Sequence, residues 1–78
     1  MGFSTIQDVK QLEAELDRKR REIAANLKAQ RAQRNLSLRQ VARKVRLTPT
    51  ALMSIEMGDS WRTSTVARVV KFYERTAA

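Results

Sequence analysis

The sequence predicts a small all-α domain with an extended helix on its N-terminal side, and three observations carry that prediction. Residues 3–48 contain neither glycine nor proline, so neither of the strong backbone helix-breakers interrupts a helix there. Leu38, Val41, Ala42 and Val45 recur at i, i+3, i+4 and i+7, which places them on one face of a short helix. Thr48-Pro49 and Gly58 then bracket a second short helix with a start signal and a stop signal. Only Val45-Arg46-Leu47 lies between the two patterns, enough for a turn and too little for a loop. Helices this short are unstable alone and must pack on each other and on a third element, which is the logic of a helix-turn-helix.

Taken in order, Ser4 or Thr5 can cap a first helix, with Phe3 as a hydrophobic staple. A helix from Thr5 to Gln33 would run about 43 Å, longer than the domain it serves, so its first half should project. Val9, Leu12, Leu16 and Ile23 fall near a heptad seam, with Lys19 at the missing position. Glu15–Lys19 and Asp17–Arg21 are i,i+4 pairs in the favourable order. The boundary expected is an N-terminal helical extension over 1–22, for dimerisation or a protein partner, followed by the helix-turn-helix domain over 23–76. The alternative is a bend near Arg20 that returns residues 5–18 to their own domain. In the domain, Ser37 can cap the helix carrying Leu38 to Val45, and Leu52 with Ile55 forms the apolar seam of the next. Residues 59–64 read as a polar connection to a last helix, which Thr63 or Ser64 can cap.

The net charge of +8 is unevenly spread. Residues 1–17 carry a net −3, residues 18–46 a net +10 with Glu22 as the only acid, and residues 47–78 a net +1. A basic block feeding into a helix-turn-helix is the electrostatic footprint of a duplex-DNA binder; a solvated helical face is the plainer alternative. Cysteine and histidine are absent, which argues against disulfides, zinc and the usual acid–base catalyst, and suits a reducing cytoplasm. With no convergent carboxylate pair and no glycine-rich phosphate loop, neither enzymatic activity nor a cofactor nor a metal is expected. The apolar runs are too short for a membrane span or a signal peptide, and too few bulky apolar residues are present for a membrane-surface helix.

Leu36-Ser37, Val41-Ala42, Leu47-Thr48, Leu52 with Ser54, and the ending Ile55-Glu56-Met57-Gly58 resemble the helix-turn-helix of the Cro/cI-type (XRE-like) DNA-binding regulators of bacteria and phages. The likeness runs from about Ile23 to Tyr73, with Leu27 to Arg34 similar to the family's first helix and Thr65 to Val70 to its closing one. Two residues depart from the pattern: Arg46 stands where the family usually has glycine, and Leu38 where it often has glutamine. Arg46 in a left-handed turn would cost about 1 kcal/mol.

The resemblance implies a lambda-repressor-like fold whose second motif helix enters the major groove of DNA. Thr48, Pro49, Thr50, Met53 and Ser54 would face the bases, and Ser37, Arg39, Gln40, Arg43, Arg46 and Arg62 the phosphates. Such base-facing residues offer hydroxyls and methyl groups but no bidentate arginine or glutamine, so DNA shape should share in recognition. It further implies that Arg31 pairs with Glu56, a structural ion pair. Dimerisation has two candidate surfaces: Val9, Leu12 and Leu16 on the extension, or Val66, Val70 and Tyr73 on the closing helix. Trp61 could stack on the sugar-phosphate edge, join a dimer contact or pack on the core, and packing is expected. The function implied is a cytoplasmic, nucleoid-associated transcriptional regulator, bacterial or phage- or plasmid-encoded. It would act as a homodimer that represses from an inverted repeat. The alternative is an antitoxin-like or adaptor module whose N-terminal helix binds another protein.

Overall fold

A computed structural model describes residues 6–59 and 61–76, and its chain runs through four helices in the order Ile6–Gln33 (α1), Leu38–Val45 (α2), Pro49–Met57 (α3) and Thr63–Arg75 (α4). The suggested roles of Phe3, Ser4 and Thr5 fall outside the described residues.

The first three helices stop by the same device. Asn35, Arg46 and Gly58 adopt left-handed backbone with φ of 55°, 60° and 78°, and they alone do so among the described residues. At each reversal the N–H of the left-handed residue and that of the residue after it turn back onto the helix it ends. Asn35 donates to the carbonyl of Ala32 and Leu36 to that of Arg31; Arg46 donates to Arg43 and Leu47 to Ala42; Gly58 donates to Ile55 and Asp59 to Ser54. These are Schellman closures, and they satisfy carbonyls that the helices leave over. Asparagine and glycine suit the conformation; Arg46 holds it against its steric cost.

The starts of α2 and α3 follow from their caps. Ser37 Oγ accepts from the Gln40 N–H at 3.1 Å while Gln40 Oε1 accepts from the Ser37 N–H at 2.7 Å, a complete capping box. Thr48 Oγ1 accepts from the Ala51 N–H at 3.1 Å, with Pro49 at the first helical position. Helix α4 departs from expectation: it begins at Thr63, so Arg62 holds the cap position with no side-chain cap, and neither Thr63 nor Ser64 caps it. Trp61 is drawn onto the core, which brings the chain in one residue earlier than the hydroxyls suggest.

Leu27, Val41, Ala42, Val45, Leu52, Ile55, Val66, Val69 and Tyr73 form one core, to which all four helices contribute. Val66 and Tyr73 therefore face inward. This corrects the expectation that they form a dimer surface with Val70: the apolar face of α4 is spent on closing the protomer's own core, and only Val70 stays half-buried.

Helix α1 is unbroken, so no bend returns its first half to the domain. Its first buried side chain is Ala24, and described residues 6–23 are all exposed. The radius of gyration is 15.0 Å, against about 11.5 Å for a compact chain of this length. The excess is the projecting arm. On it Arg21 bonds Asp17 at 3.0 Å as the spacing predicts, whereas Lys19 turns to Glu22 at 3.8 Å instead of Glu15.

Candidate nucleic-acid interface

One side of α3 is fixed and the other is free. Leu52, Ile55 and Glu56 are buried against the rest of the domain, while Thr48, Pro49, Thr50 and Met53 are exposed and Ser54 is half-buried. The four exposed residues sit in the N-terminal part of the helix, the end that reaches base edges when such a helix lies in a major groove. Thr48 Oγ1 is occupied as an acceptor by its cap, which leaves its proton to donate outward.

The orientation of α3 is locked from below. Arg31 Nε donates to Glu56 Oε2 at 2.8 Å, a second guanidinium nitrogen donates to Oε1 at 3.0 Å, and a third donates to the Leu36 carbonyl at 3.1 Å. Glu56 is 5% exposed and Arg31 19%. The hydrogen bond to Glu56 holds the Arg31 pKa above its usual value, against the opposing effect of burial. Bidentate geometry of this kind fixes an angle as well as a distance. One arginine thus ties α1 to α3, as the family resemblance implies, and also to the turn before α2.

The residues expected to contact phosphate are all exposed: Ser37, Arg39, Gln40, Arg43, Arg46 and Arg62. The capping box consumes one acceptor on Ser37 and one on Gln40 but leaves the serine hydroxyl proton and both amide protons of Gln40 to donate. Arg39 and Arg43 line the outer side of α2 with Gln40, Lys44, Leu36 and Phe72. Arg62 stands just ahead of α4, separated from the end of α3 by a short connection.

Three further residues beside this surface or bracing it are not singled out by the sequence reading. Lys28 lines a cleft with Leu38, Met53 and Met57, so it borders the exposed side of α3; its spacing of three from Arg31 is the signal that could have found it. Arg68 donates from α4 to the carbonyls of Val45 and Arg46, which steadies the turn between the motif helices. Arg34 donates to carbonyls of Gln30 and Tyr73 and to Thr76 Oγ1, and lies over the Tyr73 ring at 5.1 Å. Apart from Gln30, one helical turn before Arg34, the partners of these last two lie 22 to 42 residues away, where no local pattern reaches.

Among the described residues no group of acidic, histidine or cysteine side chains could hold a metal ion, and no helix is long and apolar enough to cross a membrane. A family model described as a helix-turn-helix domain matches residues 26–77. No curated protein and no solved structure matches the chain. The family match spans about two thirds of the sequence and includes both motif helices, the Arg31–Glu56 lock and α4. The chain belongs to the helix-turn-helix domain family, a DNA-binding architecture.

Proposed function

We propose that this protein is a sequence-specific regulator of transcription of the Cro/cI type, which occupies an inverted repeat in double-stranded DNA as a homodimer and represses by occlusion. The observation that carries the reading is the exposed N-terminal half of α3, presented by a helix whose other face is fixed through Glu56. Thr48, Pro49, Thr50, Met53 and Ser54 read base edges through hydroxyl and methyl contacts. Ser37, Arg39, Gln40, Arg43, Arg46 and Arg62, joined by Lys28, hold the phosphates. Occupancy alone suffices to repress, so the domain needs no catalytic group or cofactor.

Selection of bound duplexes from a random library at about 150 mM salt, where non-specific phosphate binding is weakened, tests this. Enrichment of an inverted repeat with half-sites about one helical turn apart is expected. A library that yields no enriched sequence sinks the reading.

The exposed arm supports a second reading, an antitoxin-like or adaptor module. Its side chains Val9, Leu12 and Leu16 are each about half exposed. A chain that stays monomeric at all concentrations, yet forms a stable complex with another protein through these residues, favours that reading.

A further inference from the structure

The outer side of α2 and the last turns of α4 form a basic face with an apolar centre. Two adjoining clefts of about 350 and 250 Å³ share Lys44 and Phe72. Leu36 and Phe72, both half-buried, form the floor. Arg43, Lys44, Lys71 and Arg75 stand exposed around it. No carboxylate forms an ion pair with any of these four among the described residues.

A phosphate backbone would use the cations but has no use for the phenylalanine and leucine between them. The face matches an acidic amphipathic helix instead: an apolar stripe for the floor, with carboxylates on both of its flanks for the rim. The arm of this chain has that pattern. Val9, Leu12 and Leu16 make a stripe on α1, and at about 100° per residue Glu13 lies on one side of it and Glu15 on the other. Lys10 falls near the opposite face. Residues 1–17 carry a net −3, the only acidic stretch in a chain of net +8. A chain's own arm cannot reach its own face, because α1 continues without a break from the arm into the core at Ala24 and Leu27.

We infer that the arm of one copy seats on the α2–α4 face of a second copy, with Leu12 and Leu16 over Phe72 and Leu36, and Glu13 and Glu15 against Lys44 and Lys71. The inference rests on the self-association in the function proposed above and names the surfaces that make it. If each arm reaches the other copy, the two contacts close a two-fold pair; if not, the copies join head to tail. Because Arg39 and Arg43 edge the same face, seating the arm also changes what those two residues offer to DNA.

Sedimentation of the full chain, with circular dichroism to confirm folding, tests the inference through charge reversal on each surface. Wild-type protein should self-associate at about 50 mM salt and weaken at about 500 mM, where exposed charges are screened. E13K/E15K and K44E/K71E should each lose self-association by about tenfold or more in dissociation constant. An equimolar mixture of the two should associate again, since each arm then meets a face of opposite charge. A structural defect would not be rescued that way. Association that survives both variants but is lost in L12S/L16S would overturn the arm-to-face contact in favour of an arm-to-arm seam, and leave the dimeric regulator standing. Protein that is monomeric throughout would also overturn it. So would K44E/K71E protein that associates normally yet binds a fixed duplex more weakly, which would assign the face to DNA. Whether the chain is a sequence-specific regulator is read separately, from the duplex selection.

Discussion

At the residue scale, the two buried polar groups of the core behave in opposite ways. Glu56 is fully answered by Arg31, so removing either partner leaves a charge without its counterpart. Glu56→Leu or Arg31→Met alone should cost about 3 kcal/mol or more, while the double substitution should cost far less than the sum. A double-mutant cycle by urea unfolding measures this, and additive losses would show that the pair is not coupled. The Tyr73 hydroxyl, in contrast, is buried with no hydrogen-bond partner. Desolvation first, and then the charge of Glu56, raise its pKa, with Arg31 and Arg34 opposing. The folded state then holds the phenol proton more tightly than the unfolded chain does. This contribution to stability is constant below the unfolded value of about 10 and falls as pH rises past it toward the folded pKa. Tyr73→Phe should abolish that alkaline loss and, having removed an unanswered polar group, be neutral or stabilising by about 1 kcal/mol at pH 7. Thermal unfolding across pH checks the sign. Because Tyr73 is the only tyrosine, its ultraviolet titration reads the shift directly.

At the scale of elements, the turn between α2 and α3 and the arm of α1 are the places where local preference and context part company. Arg46 keeps a left-handed φ of 60° although a glycine would hold it without strain. Arg46→Gly should therefore stabilise the fold by about 0.5–1 kcal/mol, the relief of the left-handed strain exceeding the glycine's added chain entropy. It should also weaken DNA binding if the side chain meets a phosphate, so unfolding and duplex titration together separate the two roles. The arm has helical sequence but no buried side chain before Ala24, and a helix without packing is marginal. Amide exchange should accordingly be fast over residues 7–20 in dilute protein, slow at Val41, Leu52 and Val69, and slower in the arm as concentration rises. An arm protected in dilute protein to the same degree as the core would contradict this account.

For the whole molecule, the cations and the recognition residues should divide the work of binding. Lys28→Ala or Arg43→Ala should weaken binding to all duplexes alike and flatten its salt dependence by about one unit of slope each. Thr50→Ala should leave the salt slope unchanged and lower the preference for the selected sequence over a scrambled one. Titrations on both duplexes at several salt concentrations distinguish these outcomes. A lysine variant that altered sequence preference alone would contradict the division.

The sequence by itself determined where two helices end and two begin. Asn35, Gly58, Ser37 and Thr48-Pro49 act through hydrogen bonds within a few residues, and such chemistry is legible in one dimension. It also determined the apolar face of α2 and, through a family pattern, the Arg31–Glu56 lock. Only the tertiary structure decided that Val66 and Tyr73 belong to the core and not to a dimer surface, that α4 starts uncapped behind Trp61, and that Arg34 and Arg68 bind distant carbonyls. It alone placed Lys28 beside α3 and set Phe72 among cations from two helices. The physical reason is the same in each case. A helix face states that something must cover it, or that something must neutralise it, but which partner does so depends on how the helices cross, and that is settled only when all four pack around one core.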